Sequence, residues 1–81
     1  MEKSIHLQEY TVLLEMLRAA RENAGLTQEE VADRLGESQS FVSKCERGER
    51  RLDVVELRSW CSVLGVSFHG FVKRFDQIVE R

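Results

Sequence analysis

The chain of 81 residues is 42% hydrophobic and 32% charged, with a formal net charge of −2 at pH 7, and these proportions are ordinary for one globular domain. It has no apolar run of the roughly 20 residues that a membrane-spanning helix needs, and its N-terminus lacks the basic and then apolar pattern of a signal peptide. We therefore expect a cytoplasmic protein with a single domain, residues 1–81, and no membrane contact.

The charge is unevenly distributed along the chain. Residues 1–37 carry four basic and eight acidic side chains, a local net charge of −4, whereas residues 38–81 carry eight basic and six acidic ones, a local net charge of +2. Because salt screens charges that are more than about 10 Å apart, the local sign matters more than the total. The acidic total therefore weakens a nucleic-acid-binding hypothesis without excluding it.

Apolar residues recur at spacings of three and four along the whole chain, and there is no proline, which together predict an all-α fold of five helices. The first helix is predicted to end at Gly25, and its apolar face consists of Tyr10, Leu13, Leu14, Leu17, Ala20 and Ala24. Residues 1–9 form an N-terminal extension for which three states stay open: it extends the first helix, packs over a partner or is mobile.

The segment of about residues 27–47 has the pattern of a helix-turn-helix, two short helices joined by a turn that contains glycine. Thr27 and Glu30 predict a capping box at the start of the second helix. Gly36 is predicted to end that helix with a positive φ. Ser38 is predicted to cap the third helix, whose outward side is polar and suited to the DNA major groove.

Two further helices are predicted after the motif. Asp53 and Glu56 predict a capping box at the start of the fourth helix, and a fifth helix is predicted at about residues 67–80. The fifth helix has more apolar residues than so short a protein can bury internally, so an exposed patch is expected. We expect this helix to form a homodimer through Phe68, Phe71, Phe75, Ile78 and Val79.

Hydrophobic, small, glycine, capping and acidic positions all agree in the run G-L-T-Q-E-E-V-A-D-R-L-G-x-S-Q-S-F-V-S-K-x-E-R-G-E-R. This run resembles the Cro/phage-repressor type of helix-turn-helix, also called the XRE family, and the resemblance covers roughly residues 10–72. It implies a five-helix lambda-repressor-like DNA-binding domain with the helix-turn-helix at helices 2 and 3. It also implies that the third helix enters the major groove, usually in a dimer on a near-palindromic operator.

Residue by residue, the resemblance implies a role for each polar position of the motif. The residues that it places against base edges are Gln39, Ser40, Lys44 and Phe41, the last near a thymine methyl group. The residues that it places near phosphates are Gln28, Ser43, Arg50 and Arg51. Arg21 and Glu46 match a salt bridge that in many members joins the first helix to the end of the third.

The chemistry of the side chains supports these roles. A glutamine amide pairs in bidentate fashion with adenine, and a lysine reaches the acceptors of guanine. The capped helix starts at Thr27 and Ser38 offer backbone amides to phosphates, and the arginines after Gly48 supply positive charge where phosphates are expected. Arg47 is also expected to contact a phosphate. An acid at Glu46 is unfavourable at the negative end of a helix dipole, so a partner such as Arg21 is expected.

The leading hypothesis is a sequence-specific DNA-binding transcriptional regulator, a repressor or autoregulator whose partner is double-stranded DNA. The alternative is a protein-interaction module, antitoxin-like or adaptor, that uses the same fold with weak or lost DNA binding, and the acidic first half supports it. No nucleophile–base pair, metal cluster or phosphate-binding glycine loop appears, so we expect no enzyme, metal, cofactor or small-molecule ligand. Cys45 and Cys61 are expected to be small buried hydrophobic residues.

Overall fold

The computed structural model describes the backbone of residues 2–80 and the side chains of residues 8–80. This part of the chain contains five α-helices and no strand, which confirms the predicted all-α fold. The helices are α1 (Glu2–Asn23), α2 (Gln28–Leu35), α3 (Gln39–Glu46), α4 (Val54–Leu64) and α5 (Phe68–Val79). The backbone of residues 2–9 is helical and extends the first helix, one of the three states left open. No helix in the described range is both long and apolar enough to cross a membrane.

Side chains cap the starts of α2 and α4, as the two capping boxes predict. Thr27 Oγ1 accepts a hydrogen bond from the Glu30 N–H (3.1 Å), and Glu30 Oε1 accepts one from the Thr27 N–H (2.8 Å). Asp53 Oδ1 accepts from the Glu56 N–H (2.7 Å), and Glu56 Oε1 accepts from the Asp53 N–H (2.9 Å). Each box satisfies two backbone donors that the first turn of a helix leaves without an intrahelical partner.

A single cluster of buried side chains holds the helices together. Its members are Leu17, Val31, Ala32, Val42, Cys45, Trp60, Cys61, Leu64 and Phe71. Both cysteines are free and buried, as expected, and burial raises the pKa of each thiol. Burial of one large apolar side chain stabilises a fold by about 1.5–3 kcal/mol, so this cluster supplies most of the driving force for packing.

Phe71, one of the five residues expected in a dimer interface, lies largely inside the core of the single chain. Its side chain is 7% exposed and belongs to the core, because α5 packs against both α1 and α4 and turns this central residue inward. Phe68 is half-buried and also packs against the core. Phe75 and Val79 are half-buried, and Ile78 is 39% exposed. Of the five residues expected in a dimer interface, Ile78 is therefore the most exposed, and the dimer stays a prediction.

Candidate nucleic-acid interface

The interface is built on the packing of α3 against α2. The buried residues of these two helices are Val31, Ala32, Val42 and Cys45, each at most 2% exposed. Gly36 ends α2 with a φ of 74°, the left-handed conformation that glycine adopts without strain. Ser38 Oγ then accepts a hydrogen bond from the Phe41 N–H (3.1 Å) and begins α3. The buried side of α3 is thus held, and its opposite side faces solvent.

The outward side of α3 carries the polar residues expected to face base edges. Gln39, Ser40 and Lys44 are all exposed. Their side chains form no hydrogen bond or ion pair with any other residue of the described part of the chain. Their donors and acceptors are therefore available to an external partner.

Arg21 and Glu46 form the predicted salt bridge, which joins α1 to the end of α3. Arg21 Nε donates to Glu46 Oε2 (2.6 Å) and Arg21 Nη2 donates to Glu46 Oε1 (3.2 Å), a bidentate contact. Arg21 Nη1 also donates to the Leu26 carbonyl (2.9 Å), just before α2 begins. The side chains are 12% and 6% exposed, so the pair is largely shielded from solvent and competing ions.

Gln28, at the start of α2, takes part in the same network. Its Nε2 donates to Glu46 Oε1 (2.9 Å), the oxygen that Arg21 Nη2 also contacts. An amide nitrogen has two hydrogens, so one donor of Gln28 remains for a phosphate. The contact orients the half-buried Gln28 side chain, which agrees with the supporting role that the resemblance implies.

Arg47, directly after α3, is held by two neighbours in its own segment. Its Nε donates to Glu49 Oε2 (2.9 Å), and its Nη1 donates to Ser43 Oγ. The hydrogen bond and the charge of Arg47 hold the pKa of the Glu49 carboxyl below its usual value. Both side chains are more than half exposed, so this is a surface contact that an external phosphate can replace.

Arg50 lies between an acid and an aromatic ring. Its Nη1 donates to Glu56 Oε1 (2.7 Å) and to the Arg51 carbonyl (2.6 Å), while its guanidinium lies 4.9 Å from the centre of the Phe41 ring. Phe41 is half-buried and its ring centre is 6.2 Å from that of Trp60. Trp60 and Arg50 thus cover part of the ring, and contact of its accessible part with a thymine methyl group stays a prediction.

Arg51 is the loop arginine without an acidic partner in the described range. Its guanidinium lies 4.6 Å from the centre of the Tyr10 ring of α1. The Tyr10 hydroxyl accepts a hydrogen bond from the Leu52 N–H (3.1 Å), which ties the loop between α3 and α4 to the first helix. Stacking on a ring leaves the N–H donors of the guanidinium available.

The described side chains contain no group of three His, Cys, Asp or Glu residues placed to hold a metal ion.

Comparison with known proteins agrees with this geometry. A family model described as helix-turn-helix matches residues 17–71. A solved XRE-family like protein from Pseudomonas syringae pv. tomato is 44% identical, with a TM-score of 0.91 over 95% of this chain and 94% of that one. This chain belongs to the XRE-type helix-turn-helix family.

Two further relatives of this XRE-type chain are named as regulators. A protein of Sinorhizobium fredii named as the uncharacterized HTH-type transcriptional regulator y4dJ is 44% identical over 57 residues, which are 70% of this chain and 74% of y4dJ. The clp gene regulator ClgR from C. glutamicum is 28% identical, with a TM-score of 0.74 over 85% of this chain and 90% of that structure.

Sequence reasoning missed the acids that hold the loop arginines in this XRE-type domain. From the sequence, Glu49 was given no partner, and Glu56 was assigned only to a capping box. The alternation of acid and arginine in R-G-E-R-R is a weak signal for the first contact. No local rule predicts the second, because Arg50 and Glu56 are six residues apart across a loop.

Proposed function

We propose that this XRE-type chain is a sequence-specific DNA-binding transcriptional regulator whose α3 enters the major groove. The observation that carries the proposal is the exposed face of Gln39, Ser40 and Lys44 on a helix whose opposite side is buried. A glutamine amide matches adenine and a lysine matches guanine acceptors, so this face has the groups that read a sequence. The family membership and the regulator names of y4dJ and ClgR support the same function.

The proposed phosphate contacts surround this face. The residues that we assign to them are Thr27, Gln28, Ser38, Ser43, Arg47, Arg50 and Arg51. At Thr27 and Ser38 the contact is made by backbone N–H groups of a helix start, where the dipole also favours an anion. Such contacts position α3 on the duplex and do not depend on the base sequence.

We propose that the regulator is a homodimer formed through the C-terminal half of α5. Ile78 is 39% exposed, and it lines a groove of about 890 Å³ between α1 and α5. Met16, Ala20 and Phe71 form apolar parts of this groove, and Glu15, Lys73 and Arg74 also line it. In the proposed dimer, a two-fold axis through this face brings two copies of α3 to the same DNA. Half-sites read by such a dimer are about 34 Å apart, one helical turn.

Repression or autoregulation is the role that we assign to the proposed dimer. A domain that occupies the major groove excludes another protein from the same sequence. Repression therefore needs no contact beyond operator binding itself, and the dimer implies an operator that is near-palindromic.

A protein-interaction module with the same fold is the second candidate, and one observation favours it. The exposed side of α2 is acidic, with Glu29, Glu30 and Asp33 all at the surface. Such a face repels DNA over short distances and suits a basic protein partner. This candidate keeps the fold and assigns α3 no base-reading role.

Selection of genomic fragments on the purified protein distinguishes the two candidates. A regulator enriches a motif with two half-sites, and its affinity for that motif falls steeply with salt because phosphate contacts release counterions. An interaction module enriches no motif at any salt concentration. The spacing of the enriched half-sites measures the arrangement of the two α3 helices directly.

A further inference from the structure

The segment between α3 and α4, residues 47–53, contains three arginines and is called the arginine loop here. Glu49 and Glu56 form ion pairs with two of these arginines. Arg47 Nε lies 2.9 Å from Glu49 Oε2, and Arg50 Nη1 lies 2.7 Å from Glu56 Oε1. Arg51 forms no ion pair with a described residue. We call Arg47 and Arg50 the acid-held arginines.

A carboxylate and a DNA phosphate offer the same kind of hydrogen-bond acceptor to a guanidinium. Each has two oxygens that share one negative charge and accept charge-assisted hydrogen bonds from a guanidinium. The hydrogen bond from each arginine holds the pKa of Glu49 and of Glu56 below its usual value, so both acids are ionised at neutral pH. In the free protein each acid-held arginine therefore already has an anionic hydrogen-bond partner.

We propose that Glu49 and Glu56 set the DNA affinity of this protein by competing with phosphates for Arg47 and Arg50. The inference rests on the proposed DNA binding. Because phosphate contacts are independent of sequence, the competition lowers affinity for every sequence alike and makes it less dependent on salt. Base reading by Gln39 is unaffected, since its side chain bonds to neither acid.

The contacts of Arg50 allow the exchange of carboxylate for phosphate without unfolding the loop. Its stacking on Phe41 uses the face of the guanidinium and no N–H donor. Glu56 Oε1 also accepts from the Asp53 N–H (2.9 Å), so the acid keeps its capping role when Arg50 leaves. The two functions of Glu56 can therefore be separated by substitution.

Glu56→Gln is the substitution that separates them. Glutamine serves at this position of a capping box because its carbonyl oxygen accepts the same backbone hydrogen bond. It has no charge, so the hold on Arg50 is weakened while α4 keeps its cap. Thermal unfolding monitored by circular dichroism checks that the variant folds as the wild type does.

The measurement is fluorescence anisotropy with a short duplex of unrelated sequence, titrated between about 50 and 200 mM salt. We expect Glu56→Gln to bind about two- to fivefold more tightly, the range of an exposed ion pair. The slope of log K against log salt is expected to steepen by up to about 0.9, the value of one added phosphate contact. Glu49→Gln is expected to act in the same direction through Arg47.

Two controls separate this competition from a general change in charge. Glu22→Gln removes an acid that is paired with Arg18 on α1 (3.3 Å), and we expect no change in affinity or slope. In an Arg50→Gln background, Glu56→Gln is expected to lose its effect, because the arginine that it releases is absent. A gain that persists unchanged in that background overturns the proposal.

The remaining outcomes separate this inference from the proposed function. If the wild type enriches a DNA motif but Glu56→Gln changes neither affinity nor slope, the competition is refuted and DNA binding stands. If neither the wild type nor any variant binds a duplex, the proposed function fails and the inference fails with it. A gain in affinity that disappears without Arg50 supports both.

Discussion

Arg21 Nε lies 2.6 Å from Glu46 Oε2 although 25 residues separate the two in sequence, and the side chains are only 12% and 6% exposed. The Leu26 carbonyl and the Gln28 amide complete the network, so α1, the start of α2 and the end of α3 meet at one point. Desolvation of two charges offsets much of their attraction. The pair therefore orients α3 more than it adds net stability.

Loss of one partner from this pair is expected to be costly. Arg21→Met leaves the Glu46 carboxylate shielded from water without its cation, and we expect the free energy of unfolding to fall by about 3–5 kcal/mol. Urea denaturation measures this as a lower midpoint with an unchanged slope. Arg18→Met, which breaks an exposed pair with Glu22, is the matched control and should have little effect. Equal losses in the two variants would contradict the special role of the buried pair.

Gln39 is expected to read one base position. Gln39→Ala should cost about 1–3 kcal/mol on the selected operator and leave binding to unrelated DNA nearly unchanged. Competition binding with operators that are substituted at each position locates the relaxed base pair. A uniform loss of affinity on every sequence would instead place Gln39 at a phosphate. Arg34→Ala, on the exposed side of α2, is the control for a general surface change.

The C-terminal half of α5 is expected to join two copies of the chain. The wild type should sediment as a dimer at tens of micromolar, and Ile78→Glu should sediment as a monomer with unchanged helical content, because a charge in an apolar interface loses its hydration. Val55→Glu is the matched control, since Val55 is 70% exposed on α4. Dissociation by Val55→Glu and not by Ile78→Glu would move the interface to α4.

Stability is expected to decline in acid through the capping box of α2. The hydrogen bond from the Thr27 N–H lowers the pKa of Glu30 from its usual 4.5. A group whose folded pKa is depressed stabilises the fold above its unfolded pKa and loses that effect as pH falls through the folded value. The contribution of Glu30 to the melting temperature should therefore be nearly constant around neutral pH. It should decrease when the pH is lowered below about 4.5.

A pair of variants isolates the contribution of Glu30. Glu30→Gln keeps an acceptor for the Thr27 N–H but no longer titrates, so its decline in acid should be smaller. Glu29→Gln makes the same charge change in the same turn of α2 and should keep the full decline. Melting curves at a series of pH values compare the two. An identical decline in both variants would show that the box does not contribute.

The sequence by itself determined the elements that depend on neighbours within one helical turn. The two capping boxes at Thr27 and Asp53 could be predicted because their partners are three residues away. The end of α2 at Gly36 could be predicted because it requires a positive φ at that one residue. The polar face of α3 followed from the helical period alone. These interactions are local, so their residues are in position as soon as a helix forms.

Only the tertiary structure decided the contacts that cross between helices. Whether Phe71 belonged to the core or to a surface patch depended on the angle at which α5 packs on α1 and α4. The pairing of Arg50 with Glu56 depended on where the start of α4 lies relative to α3. The physical reason is that an apolar stripe or a flexible cation can pack against several different partners, and the sequence alone does not distinguish between them. The packing of the whole chain selects a single one.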